Sequence, residues 1–213
     1  MKLLELLKAI DPICVNTIKA QGAGCATQGR KDERATLCEM SRADLIDMGI
    51  ESIHYRAQEV QPGGMFVAIK GQTADGHDFM HQAVQKGAVA IVIQKEPSQP
   101  YLNQCLAQAV QTKPVIIKVP DTRKAMAELA ARFYGEPSKN MTLIGITGTN
   151  GKTTVAYLVE SILLKAGHET GVIGTINYRY ADQTFNNPMT TPESLDLQRK
   201  PVSYTHLRAH ETV

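Results

Sequence analysis

Short apolar runs alternate along most of this chain with stretches whose apolar residues recur three or four positions apart. Met65-Phe66-Val67-Ala68-Ile69, Ala88-Val89-Ala90-Ile91-Val92-Ile93 and Val115-Ile116-Ile117-Lys118-Val119 each read as a buried strand. Between and after them lie helical patterns: Phe79 to Gly87, closed by a glycine, Leu102 to Val110, and a helix capped by Asp121 with an apolar face through Ala125, Leu129 and Phe133. Gln61-Pro62-Gly63-Gly64 is a turn signal ahead of the first of these strands. Strand and helix in alternation predict an α/β sandwich with a largely parallel sheet. Upstream, Leu3 to Ile10 reads as a short helix stopped before Pro12, and Gln21 to Asp47 is polar, with little regular structure expected.

A second pattern begins after Gly135-Glu136-Pro137-Ser138-Lys139, which has the composition of a linker. Leu143-Ile144-Gly145-Ile146 reads as a buried strand, Thr147 to Gly151 as a glycine turn, and the next stretch as a helix. Its apolar positions are Val155, Leu158, Val159, Ile162, Leu163 and Ala166, with Gly167 standing where it stops. Gly171 to Thr175 is another short strand, and Tyr178 to Phe185 a hairpin or loop. Thr191-Pro192-Glu193 resembles a helix start. The expected domains are 1–137 and 138–200. The tail 201–213 follows neither period and back-translates onto a sequencing-library adapter, so it is read as an artefact and left out of the fold.

Composition narrows the class. The chain has 213 residues, 43% hydrophobic, and a formal net charge of +2, which offers no basic patch for nucleic acid. Cys14, Cys25, Cys38 and Cys105 are scattered with no C-x-x-C, as in reduced thiols of a cytoplasmic protein. The N-terminal apolar residues are interrupted by Lys2, Glu5 and Lys8, which suits an amphipathic helix better than a leader, and no apolar run is long enough for a membrane span. A soluble monomer without membrane or nucleic-acid partners is expected.

The glycine turn carries the chemistry. Gly148 and Gly151 let the backbone curl and present N–H groups to phosphate oxygens, and the following helix adds unpaired amides at its positive end. Lys152 is placed to reach the β- and γ-phosphates of a nucleotide, and Thr153 to hold Mg2+. The form is T-G-T-N-G-K-T-T rather than a strict G-x-x-x-x-G-K-[ST], because Ile146 stands at the first glycine position.

This loop resembles that of the Mur ligase family, which makes amide bonds on peptidoglycan precursors at the expense of ATP. P-G-G-M-F-V-A-I (Pro62 to Ile69), A-D-G-H-D-F (Ala74 to Phe79), G-T-I-N-Y and T-T-P-E-S-L-D-L-Q are similar to the branch that adds the third peptide residue to UDP-N-acetylmuramoyl-L-alanyl-D-glutamate. The resemblance covers roughly Ile50 to Arg199. It implies an N-terminal α/β domain that binds the UDP end of the substrate, followed by the beginning of a P-loop, Rossmann-like ATPase domain.

The resemblance also implies site residues. Gly148, Thr149, Asn150, Gly151, Lys152, Thr153 and Thr154 would hold ATP, with Lys152 and Thr153 catalytic and Thr153 on Mg2+. Gln72, Thr73 and Ala74 would meet the uracil ring. Arg56 would meet a phosphate or pair within the fold, and His54-Tyr55-Arg56 stands where the family usually has Asp-Ser-Arg. Thr190 and Thr191 would lie near the muramoyl dipeptide or cap the next helix. The incoming amine would be diaminopimelate or lysine. The family's remaining catalytic residues fall beyond Arg199, so this polypeptide as written is expected to lack ligase activity. His77, Asp78 and His81 sit close enough for a metal on paper, but the matching family loop holds none. Competing readings are the sister ligase that adds the terminal dipeptide, folylpolyglutamate synthase, and a nucleotide-binding regulator without catalysis.

Overall fold

The structure is a computed structural model that describes residues 1–10, 14–17, 36–38, 47–71, 73–98, 100–101, 114–174, 176–180, 183–186 and 192–199. The chain forms two compact units, Met1–Gly135 and Glu136–Val213.

The first unit is built on a six-stranded sheet of order β2-β1-β6-β5-β4-β3. Its strands are β1 (Cys14–Thr17), β2 (Thr36–Cys38), β3 (Ser52–His54), β4 (Gly64–Val67), β5 (Ala90–Ile93) and β6 (Val115–Lys118). From β3 to β6 each strand pairs in parallel with the next, in chain order, which puts the ends of all four at one edge. β1 runs antiparallel to β6, so the sheet is mixed. β1 and β2 are a departure from expectation: the polar stretch 21–47 contains a strand. Segments of three or four residues are too short to show a period, and their place is set by backbone pairing with β6 and with each other.

β4, β5 and the first three residues of β6 are apolar because the sheet is buried on both faces there. Phe66, Ile91 and Ile116 share one face and pack with Met80, Ala83 and Val84 of α2 (Met80–Gln85). Met65, Val67, Val92 and Ile117, one residue out of phase, point the other way and are fully buried too. Leu3 and Leu6 of α1 (Leu3–Leu7) and Met126 and Leu129 of α3 (Thr122–Phe133) are fully buried, and these two helices touch. α3 begins where the sequence places it. The Asp121 carboxylate accepts from the amides of Arg123 at 2.8 Å and Lys124 at 3.1 Å, a cap worth roughly 1 kcal/mol. The helix expected at 102–110 lies outside the described residues.

In the second unit α4 (Lys152–Lys165) follows the glycine turn and ends on Gly167, whose φ is +81°. The His168 amide reaches back to the carbonyl of Leu163, and the Gly167 amide to that of Leu164, as in a left-handed helix stop. β7 (Gly171–Ile173), β8 (Asn177–Tyr180) and β9 (Gln183–Asn186) form an antiparallel sheet in chain order, and 194–199 is a short helix. Arg179 of β8 lies 4.0 Å over the Tyr157 ring and pairs with Glu160, which fastens the sheet to α4.

Two expectations fail here. Leu143 to Ile146 is not a buried strand: no ladder pairs it among the described residues, and Leu143 is 70% exposed. α4 has no buried residue, and Val155, Leu158 and Ile162 face solvent. An apolar run becomes a buried parallel strand only where neighbouring strands supply the hydrogen bonds, and the described sheet of this unit does not include it.

Candidate functional site

In the second unit the site is the turn between Ile146 and α4. Gly148 has φ +146° and Gly151 has φ +78°, conformations closed to most side chains. Gly151 is the residue before the helix, and no side chain caps the amides of the first turn. Those amides and the end of the helix dipole therefore face outward. A Cβ on Gly151 would meet nothing within 4 Å, so there is open space against the turn. Lys152 folds back over it: its Nζ donates to the carbonyls of Gly148 at 2.6 Å and Thr149 at 3.2 Å. The arrangement is an uncapped helix start behind a glycine turn, with an exposed cation over it, which suits a polyanion. Thr153 and Thr154 stand in the exposed first turn of α4, and Thr149 and Asn150 complete the bend.

In the first unit the parallel strands place a second group of residues together. Tyr55 and Arg56 follow β3, the segment 68–76 follows β4, Gln94 and Lys95 follow β5, and Arg123 opens the helix after β6. All stand at the C-terminal edge of the sheet, the side on which open α/β sheets take ligands. Arg56 pairs with Glu59 at 2.9 Å and lies 5.3 Å from the Tyr55 ring centroid, so it has partners within the fold. Thr73 and Ala74 are exposed at the tip of the segment after β4. Lys70 bridges Asp75, and the Gly71 amide donates to the Ala74 carbonyl at 2.9 Å, closing the tip as a small loop. Gln72, Thr190 and Thr191 lie outside the described residues.

The loop is anchored by residues that sequence reasoning passed over. Arg123 Nη2 donates to the Lys70 carbonyl at 3.2 Å. Asp75 accepts from the His77 amide at 3.1 Å and from its Nδ1 at 2.6 Å. Burial pushes the Asp75 carboxyl pKa up, but the hydrogen bonds from His77, with the positive charge of Lys95, outweigh it and hold the pKa below its ordinary value. The Gln94 amide donates to His77 Nε2 at 3.0 Å, with that of Lys95 at 3.4 Å. His81 Nδ1 is engaged by the Asp78 carbonyl and the Tyr101 hydroxyl, and among the described residues no three His, Cys, Asp or Glu side chains come together as metal ligands. Only the D-G-H run hinted at these ties, since their partners stand far along the chain.

The first unit thus offers a strand edge and the second a glycine turn before an uncapped helix start. Residues 49–134 match the profile described as "Mur ligase family, catalytic domain", and residues 146–207 that of the "Mur ligase middle domain". The chain belongs to the Mur ligase family. It is 46% identical over 159 residues to the UDP-N-acetylmuramoyl-L-alanyl-D-glutamate--2,6-diaminopimelate ligase of Bacillus licheniformis, covering 75% of this chain and 30% of that protein. With the ligase of that name from Geobacter metallireducens it shares 44% over 154 residues, 72% of this chain and 28% of the relative. A solved structure of a ligase so named superposes with a TM-score of 0.55 at 19% identity, over 79% of this chain and 32% of that one, and shows a common fold. The chain spans about 30% of the length of the curated relatives it matches.

Proposed function

We propose that this chain carries the nucleotide-handling part of an ATP-dependent ligase that adds the third amino acid to UDP-N-acetylmuramoyl-L-alanyl-D-glutamate. The reading is carried by one observation: Lys152 is held over an uncapped helix start, on the carbonyls of Gly148 and Thr149. In the reaction a substrate carboxylate oxygen takes the γ-phosphoryl group of ATP, and ADP leaves. The amine of the incoming amino acid then attacks the acyl carbon of that acyl phosphate and expels phosphate. The relatives' names point to diaminopimelate as that amino acid.

The residues present fit the nucleotide. The turn from Gly148 to Gly151 and the first-turn amides through Thr154 would receive the phosphate oxygens, and Lys152 would exchange its carbonyl partners for them. Charge neutralisation by groups already in place is the main catalytic contribution such a site makes. Mg2+ would rest on Thr153 and supply further positive charge to the phosphates. In the first unit Thr73 and Ala74, with Gln72 beside them, would meet the uracil end of the substrate, and Arg56 its phosphates after leaving Glu59. Thr190 and Thr191 would face the dipeptide. The setting is cytoplasmic, and the working form a monomer.

Titration calorimetry of the chain with ATP and Mg2+, and separately with UDP-muramoyl dipeptide, tests the proposal. Two independent single-site bindings are expected. Binding of ATP without the UDP compound would leave a nucleotide-binding module, and binding of neither would remove the ligase reading.

A further inference from the structure

We propose that His77 is a positioning residue, whose ring holds the loop of residues 70–76 in one shape at the edge of the first unit's sheet. The consequence for substrate rests on the reading of that loop as the uracil site; the geometry does not. Backbone N–H groups only donate. Since those of Gln94 and Lys95 both point at Nε2, that nitrogen offers a lone pair. The ring proton therefore sits on Nδ1 and is donated to the Asp75 carboxylate at 2.6 Å. One neutral imidazole, with its side chain 13% exposed, thus joins the closing residue of the loop to the chain leaving β5.

Just beyond the loop the Tyr101 hydroxyl donates to the carbonyls of His77 and Asp78, which leaves the loop itself to other ties. The Lys70–Asp75 bridge and the Gly71–Ala74 hydrogen bond close the loop on itself, and Arg123 holds its first residue through the Lys70 carbonyl. At the Asp75 end the amide of Gly76 returns to the Ile69 carbonyl of the same segment. Among the described residues, the His77 ring carries that end across to the neighbouring strand's exit, 17 and 18 residues on. Thr73 and Ala74 at the tip are exposed, so their placement for a ligand depends on what stands beneath them. A ring that keeps such a tip in one conformation lowers the ordering cost of binding.

The two nitrogens can be separated by substitution. In His77→Gln an amide oxygen stands near the place of Nε2 and can accept from Gln94. In His77→Asn an amide nitrogen stands near the place of Nδ1 and can donate to Asp75. The readouts are the imidazole 15N spectrum of the wild-type chain, hydrogen exchange at the Gly71 amide, UDP affinity by calorimetry, and ATP affinity as a control. The expected spectrum is that of the Nδ1–H tautomer. His77→Ala should speed Gly71 exchange and weaken UDP binding, each by about tenfold, with ATP binding unchanged. His77→Gln should recover most of both, whereas His77→Asn, which loses the acceptor for Gln94, should speed Gly71 exchange as alanine does and carries the test if the alanine variant does not fold. An Nε2–H tautomer, or Gly71 exchange unmoved in His77→Ala and His77→Asn, overturns the proposal. Should the wild type bind no UDP while Gly71 exchange still responds, the uracil reading falls and the positioning role stands.

Discussion

The Lys152 ammonium lies 2.6 Å from the carbonyl oxygen of Gly148, four residues back across the glycine turn. That contact needs both glycines: the turn must fold through two positive-φ residues before α4 can aim its first side chain at the turn's own start. The carbonyls hold the cation beside the open amides and leave it free to move onto a stronger acceptor.

Replacing Lys152 with alanine should therefore cost nucleotide affinity and little else. Hydrogen bonds from a charged group to phosphate contribute about 1.5–3 kcal/mol, so ATP should bind roughly ten- to a hundredfold more weakly. The side chain is exposed and supports no core, so thermal unfolding should be nearly unchanged. Calorimetry with ATP and Mg2+, beside a melting curve, reads both.

Gly76→Ala should act on the fold of the first unit. A Cβ there would stand 2.7 Å from the carbonyl oxygen and 2.8 Å from the amide nitrogen of Ile69, both backbone atoms that cannot step aside. Overpacking of this kind costs roughly 1–3 kcal/mol. Urea unfolding should show the midpoint lowered with the slope kept, and the displaced loop should also bind UDP less well.

What was legible in the sequence follows from how much of each signal is local. The Asp121 cap and the apolar runs of β4, β5 and β6 were read because the residues that determine them are adjacent. The strands at Cys14 and Thr36 were missed because their definition lies in pairing partners far along the chain. Leu143 to Ile146 erred the other way: an apolar run was taken for a paired strand where no partner is described. Of the candidate site, the bend at Gly148 and Gly151 was legible, since glycines mark where the backbone takes positive φ. His77 was not, because its acceptor role depends on Gln94 and Lys95.

Asp75 should make the first unit sensitive to acid. Its folded-state pKa lies below the ordinary value of 3.8, so the folded form favours the carboxylate. The stability it contributes is complete above that value and is lost as pH falls below it, through the lower folded pKa. Asp75→Asn removes the charged acceptor of the His77 bonds. The variant should be less stable than wild type at neutral pH, and the gap should close as pH drops below 3.8. Denaturant unfolding on either side of that pH measures it; a gap that stays constant would mean that the Asp75–His77 contact does not distinguish folded from unfolded chain.

Gly151→Ala separates folding from binding at the other site. With φ at +78°, an alanine would pay the left-handed penalty of roughly 1–2 kcal/mol, yet its Cβ would meet no atom within 4 Å. The unit should therefore still fold, with a modestly lowered melting temperature. The same methyl group, however, would stand in the open space against the turn, where an anion has to approach the backbone closely. ATP affinity should fall by more than the stability loss accounts for, and Lys152 should remain over the turn. Calorimetry and melting of the variant, side by side, decide this: a variant that melts lower but binds ATP as wild type does would mean that the phosphates do not lie against Gly151.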